Sequence, residues 1–251
     1  MCKGFLFWPE ASHTDTLALQ YFTANAWSRE NEEVGEVLTE FCQNRYGSQS
    51  ERMRSLWLKT IPISRVAGWG GNYGRSVVFC LEDAHESEAH LMPECLTNAV
   101  SVLEGLSRID MNDSFVVRDV IDMARTIADR VISDLARRLM RSYCRWREGR
   151  ADGAQVTRLA RAYAELGAAT ADLLELHVDY SLYESYLRLN DVEPIRNPHF
   201  DSVLFDNASC NYCHSHQYEL ARYWYEPVMC KTADLICDRV RSGDRSEIKP
   251  E

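Results

Sequence analysis

The stretch FVVRDVIDMARTIADRVISDLARRLMRSYCR, residues 115–145, decides the fold class. Its apolar residues recur every three or four positions, which places them on one face of an α-helix. Asp113 or Ser114 can accept hydrogen bonds from the first free backbone N–H groups, so one of them is the expected N-terminal cap. The sequence therefore predicts one long amphipathic helix. Its apolar face comprises Val117, Val120, Ile121, Ala124, Ile127, Ala128, Val131, Leu135 and Leu139.

Helical patterns lie on both sides of this segment. A helix is predicted to end at Trp27, another at Tyr46 before Gly47, and a short one before Pro62. Residues 156–189 form a helical region in one or two pieces, and a last helix covers about 211–241. Glycines cluster in residues 65–93, which predicts a long loop. The expected fold class is mainly α, a multi-helix array of about seven helices.

One segment favours a strand instead of a helix. Residues 4–8, GFLFW, form a short apolar run that Pro9 closes, as in a buried strand that ends at Glu10. A lone strand needs a partner for its backbone groups, so the chain is expected to be part of a larger object. A carboxylate at the C-terminal rim of a (β/α)8 barrel is placed like the nucleophile of a glycosidase.

Composition excludes several classes of protein. The chain has 251 residues, of which 45% are hydrophobic and 26% charged, as in ordinary globular proteins. Its net charge of -10 disfavours binding to nucleic acid. No apolar run reaches the roughly 18 residues of a membrane span, and the apolar run at the N-terminus is too short for a signal peptide. Nine cysteines are expected to be mostly reduced and buried, with a few disulfides as the alternative.

Three further motifs have competing interpretations. Residues 210–214, CNYCH, match a haem-attachment pattern, and His216 adds a zinc interpretation, but a structural zinc site needs four ligands. We therefore expect neither metal nor cofactor. Residues 119–125 predict a solvated or ion-paired helix surface. His177 and Asp179 are not expected to face each other, because a spacing of two separates side chains on a helix.

A series of short motifs resembles one known family. Together they resemble the α-N-acetylglucosaminidases of glycoside hydrolase family 89 in order along nearly the whole chain. Several of the family's residues are changed, among them those at Asp206, Asn211 and Met229. The motifs are Gly4 with Pro9-Glu10, Ala26-Trp27, Arg45-Tyr46-Gly47, Trp57, Val117–Arg125, Asn197–Leu204, Asn211-Tyr212 and Leu220–Pro227.

The resemblance implies a particular division of the chain. Residues 1–27 correspond to the tail end of a (β/α)8 catalytic barrel, and residues 28–251 to the all-α C-terminal domain. Glu10 matches the nucleophile, and Phe205 and Tyr212 match residues of the sugar pocket. The acid/base residue of the family lies upstream of any segment present here, so the isolated chain is expected to be inactive. The rest of the barrel would lie on the same or another polypeptide.

Other expectations follow from the same resemblance. The implied substrate is a glycan with terminal α-linked N-acetylglucosamine, as in heparan sulfate, and the implied compartment is lysosomal or secreted. A homo-oligomer is possible. The competing interpretation is a non-catalytic helical scaffold or binding module, a remnant of such an enzyme, with an exposed apolar patch where the barrel would pack.

Overall fold

The computed structural model describes residues 16–27, 32–64, 94–192 and 217–246. Helices take up 84% of these residues, and no strand occurs among them. The predicted mainly α class is confirmed. The strand predicted at residues 4–8 and the loop predicted at residues 65–93 lie outside the described residues.

The α-helices are numbered here in chain order. The region predicted as one or two helices is two, because a 3-10 turn at Val178–Tyr180 separates them. A helical turn, Tyr218–Leu220, and a π-helical segment, Ala221–Tyr225, directly precede the last helix. The helices are α1 (Thr16–Trp27), α2 (Val34–Tyr46), α3 (Ser50–Ile63), α4 (Ala99–Leu106), α5 (Ser114–Arg147), α6 (Gly153–Glu175), α7 (Leu182–Val192) and α8 (Glu226–Ser242).

Helix ends follow the local chemistry of the sequence in most places. Asp113 caps α5, since its carboxylate accepts hydrogen bonds from the backbone N–H groups of Phe115 (2.7 Å) and Val116 (3.4 Å). The expected end of α3 before Pro62 is wrong, because α3 continues through Pro62 to Ile63. A proline in the last turn removes only one N–H near the end of the helix, and packing of the buried Ile63 holds that turn in place.

The helix α5 links the hydrophobic clusters of the molecule. Its first half packs with α2, α3 and α4 around buried side chains such as Leu38, Met53 and Val102. Its second half packs with α6 and α8 around Ile132, Leu139 and others. A smaller cluster joins α5 to α6 and to the π-helical segment. One helix thus contributes to every cluster, which is why its apolar pattern is so long.

No helix of the described residues combines the length and the apolar character that crossing a membrane requires. The longest, α5, carries charged residues along its whole length.

Candidate functional site

The residues that the sequence analysis selects for chemistry lie outside the described residues. This holds for Glu10, Phe205 and Tyr212, and also for the cysteines and histidines of 210–216. Their roles remain predictions. Within the described ranges, no group of three or more His, Cys, Asp or Glu side chains is arranged to hold a metal ion.

A buried hydrogen-bond network joins α2, α3 and α5. The Arg45 guanidinium donates to both carboxylate oxygens of Asp119, through Nε to Oδ2 and through Nη2 to Oδ1 at 3.0 Å. The Tyr46 hydroxyl donates to Asp119 Oδ2 at 2.9 Å, and the Trp57 indole N–H donates to the Tyr46 oxygen at 3.0 Å. Asp119 is only 2% exposed, so its charge depends on these partners.

Arg45 and Tyr46 of this network both keep their protons near neutral pH. Burial raises the pKa of Tyr46, and the Asp119 carboxylate raises it further, so the phenol remains a donor. The hydrogen bond to Asp119 raises the pKa of Arg45 and keeps it charged. Neither group can exchange a proton in the physiological range. The arrangement therefore positions three helices and is unsuited to acid–base chemistry.

A second buried ion pair lies nearby on α5. Arg125 Nη2 donates to Asp122 Oδ1 at 2.6 Å and to Thr126 Oγ1 at 3.1 Å. Burial opposes the charge of Arg125, but the attraction of Asp122 outweighs it and raises the pKa of Arg125. The expectation that residues 119–125 form a solvated surface is wrong. The ion pairing is present, but α5 is packed on several sides, so its polar residues also face the interior.

An apolar cleft of about 230 Å³ opens between α1, α3 and α5. Its polar atoms are few, and the hydroxyl groups of Thr60 and Ser64 donate to the carbonyl oxygens of Leu56 and Ile61 in their own helix. The cleft can therefore hold a small, mainly apolar group. It is lined by Leu17, Ala18, Tyr21, Val34, Trp57, Thr60, Ile61, Ser64, Asp122, Met123 and Thr126.

Sequence reasoning misses this cleft entirely. Its lining residues span more than 100 positions of the chain, from Leu17 to Thr126. Only Trp57, Asp122 and Met123 among them belong to the motifs described above. The closest signal is the apolar composition of α1, which does not say which helix it packs against. Only the packing of α1 against the rest of the fold creates the cavity.

His177 and Asp179 do face each other, against expectation. His177 begins a 3-10 turn, so α-helical spacing does not apply. Its Nδ1 accepts a hydrogen bond from the Asp179 backbone N–H at 3.2 Å and lies 3.8 Å from Asp179 Oδ2. Burial opposes the charge of Asp179, but Arg188 at 2.8 Å, together with His177 and Arg118, lowers its pKa. The carboxylate is thus bound by arginines rather than available to a proton relay.

Glu219 connects the turn before the π-helical segment to the start of α7. Its carboxylate accepts hydrogen bonds from Ser181 Oγ at 2.6 Å, from the Leu182 N–H at 2.7 Å and from the Tyr183 N–H at 3.0 Å. Burial acts against the charge, but these donors lower the pKa of Glu219. The sequence contains no signal for this cap, because it comes from another part of the chain.

Exposed aromatic side chains lie within the π-helical segment. Tyr223 and Trp224 are 70% and 61% exposed, and the ring of Tyr218 meets that of Tyr223 edge to face at 6.1 Å. Arg222 is bound by Asp172 and by Glu226, the latter at 2.6 Å. π-Helical turns often accompany functional sites. These rings form an apolar patch on the described surface.

Comparison of the chain with protein-family models, with curated proteins and with solved structures finds no match. The resemblance to the glycoside hydrolase family therefore rests on the motifs of the chain alone.

Proposed function

We propose that the chain is the C-terminal part of an α-N-acetylglucosaminidase-like retaining glycoside hydrolase. Its substrate would be a glycan of the heparan sulfate type with terminal α-linked N-acetylglucosamine. In this proposal residues 1–27 complete a catalytic (β/α)8 barrel and include its remnant strand, and residues 28–251 form the all-α domain. Glu10 is the nucleophile, and Phe205 and Tyr212 contact the sugar.

The convergence of separate motifs supports this proposal most directly. Arg45 and Tyr46 come from one motif, Trp57 is a second, and Asp119 belongs to a third, more than 70 residues beyond Tyr46. In the fold they form one continuous network. The proposal expects such a meeting of motifs that belong to one structural framework.

The chemistry of the proposal needs two carboxylates. In retaining glycosidases they lie about 5–5.5 Å apart, one as nucleophile and the other as acid/base. Glu10 would attack the anomeric carbon and expel the leaving oxygen, which takes its proton from the acid/base residue. The family resemblance places that residue outside this chain. The isolated chain should therefore fail with leaving groups that need protonation.

An activated donor tests the role of Glu10 without the missing acid. The inactivity expected of the isolated chain concerns leaving groups that must be protonated. Fluoride leaves without general-acid assistance, so the purified chain should release fluoride slowly from α-N-acetylglucosaminyl fluoride and should not hydrolyse an alkyl α-N-acetylglucosaminide. Glu10→Gln should abolish the release. Glu40→Gln, which removes an exposed carboxylate on α2, should leave it unchanged.

Two outcomes would contradict the proposal. Fluoride release that Glu10→Gln does not affect removes Glu10 from the mechanism. No release from the wild-type chain at any enzyme concentration favours the second candidate, a non-catalytic helical binding module. The apolar cleft of about 230 Å³ and the exposed patch with Tyr223 and Trp224 are the observations that favour that candidate.

A further inference from the structure

The apolar cleft between α1, α3 and α5 is large enough for a small molecule. Its volume of about 230 Å³ exceeds the roughly 150 Å³ of an apolar protein cavity that admits benzene. A six-membered ring with a short substituent therefore fits. Side chains beside a void lack contacts on one side, and a molecule that fills the void restores those contacts.

Two aromatic side chains form part of the lining of this cleft. Trp57 is held in one position, because its indole N–H donates to the Tyr46 oxygen at 3.0 Å and its ring meets that of Phe41 edge to face at 6.0 Å. Tyr21 of α1 contributes the second ring. Aromatic rings attract a further ring in offset-stacked or edge-to-face geometry. An aromatic molecule therefore gains more in this cleft than an aliphatic one of the same size.

The charge at the cleft is already paired. Among the described residues that line it, only Asp122 is charged, and Arg125 donates to its carboxylate at 2.6 Å. Both side chains are buried. A charged molecule would lose its water here, and the opposite charge that it meets is already neutralised by a neighbour. The cleft therefore favours a neutral molecule.

We propose that this cleft binds a small neutral molecule with one aromatic ring. The ring packs between α1, α3 and α5, against Tyr21 and Trp57 and beside Met123. Binding of this kind needs no hydrolytic activity. Failure of this proposal can therefore be distinguished from failure of the role proposed for Glu10.

NMR of protein with ¹³C-labelled methionine methyl groups reports binding directly. Met123 lines the cleft and is 1% exposed, whereas Met140 and Met229 lie in the cluster that α5 forms with α6 and α8. The ring current of a bound aromatic molecule shifts only nearby nuclei. Titration with benzyl alcohol should shift the Met123 signal and leave those of Met140 and Met229 unchanged. The expected dissociation constant is on the order of 1 mM, as for a ligand of about eight heavy atoms.

A matched pair of substitutions on α1 tests the location of the site. Ala18 lines the cleft and is exposed, and Gln20 is exposed on the same helix without lining it. Ala18→Leu places a larger side chain at the cleft and should weaken binding roughly tenfold. Gln20→Leu should bind as the wild type does. Both positions are exposed, so both variants should remain folded, which circular dichroism verifies. Equal weakening in the two variants would overturn the proposal.

Analogues of benzyl alcohol, measured by competition, test the chemistry of the ligand. Cyclohexylmethanol lacks the aromatic ring and should bind about twofold to tenfold more weakly. Benzoate and benzylammonium are charged and should bind at least about tenfold more weakly. Cyclohexylmethanol that binds as tightly as benzyl alcohol would overturn the assignment to an aromatic ligand. Either ion binding as tightly would overturn the assignment to a neutral one. Absence of any shift of Met123 at about ten times the expected dissociation constant would overturn the whole proposal.

Discussion

Single carboxylates couple distant parts of this molecule. Asp119 receives three hydrogen bonds from α2, and Glu219 receives three from the start of α7. Both are charged groups removed from much of the solvent, and both depend on donors that the local sequence does not supply. Removal of either carboxylate should therefore lower the free energy of unfolding far more than removal of a surface carboxylate does.

Asp119→Asn removes the negative charge of the group to which Arg45 and Tyr46 donate hydrogen bonds. We expect the free energy of unfolding to fall by about 3 kcal/mol, since one partner of a buried ion pair is left without its counter-charge. Asp238→Asn is the matched control, because its pair with Arg241 is exposed on both sides, and it should change stability by less than about 0.5 kcal/mol. Urea denaturation measures both. Equal effects would mean that the network does not stabilise the fold.

The low pKa of Glu219 predicts a pH dependence of stability. Its folded pKa lies below the ordinary value of 4.5, so its contribution is fully present above that value and is lost as pH falls through the folded pKa. Glu219→Gln should lower stability by about 1 kcal/mol at pH 7, as loss of a helix cap does. The difference from wild type should shrink between pH 5 and pH 3. A difference that stays constant down to pH 3 would contradict the charged cap.

At the scale of elements, two helices can approach closely where one of them has a glycine, because glycine has no side chain. Gly105 on α4 packs against α3, and a Cβ there would overlap Leu56 Cδ2. Leu56 is buried, so it has little room to move. Gly35 on α2 has nothing within 4 Å of the position of a Cβ.

Two alanine substitutions should therefore have opposite signs. Gly105→Ala should destabilise the fold by about 1–3 kcal/mol through overpacking. Gly35→Ala should stabilise it by up to about 1 kcal/mol, because alanine has the higher helix propensity and meets no obstacle. Thermal unfolding of the two variants beside the wild type gives the comparison. A loss of stability in Gly35→Ala would mean that α2 is packed more tightly there than the structure shows.

At the scale of the whole molecule, the cysteines of the described residues are free thiols, in agreement with the expectation of reduced cysteines there. Cys42 lies inside the cluster shared by α2 to α5, and burial raises its pKa to about 12. Cys237 on α8 is partly exposed. Reaction of Cys42 with an alkylating reagent therefore requires the cluster to open.

Alkylation by iodoacetamide at pH 7.5 should label Cys42 on the order of a hundredfold more slowly than Cys237 in the folded protein. In denaturant the two rates should become similar. Peptide mass spectrometry after timed labelling measures each site. Comparable rates in the folded state would mean that the cluster around Cys42 opens without global unfolding.

The fold class and some helix boundaries could be read from local chemistry, although the end of α3 could not. The period of α5 and its cap, for which Asp113 is one of two candidates, depend on neighbouring residues, whereas the sequence leaves the break between α6 and α7 open. The burial of Asp119, Asp122 and Arg125 could not be predicted in this way. On an isolated helix, charged residues at this spacing favour water, and only the helices packed around α5 provide their partners.

The sequence by itself determined which segments are helical and which motifs resemble a glycosidase, because both are matters of residue type and spacing. Tertiary structure alone decided that Arg45, Tyr46, Trp57 and Asp119 meet, that an apolar cleft opens beside Trp57, and that His177 approaches Asp179. The physical reason is that helix periodicity shows which side of each helix is buried but not which helix packs against that side. The packing partner is determined by the whole chain, which must bury its apolar surfaces and pair its buried charges at the same time.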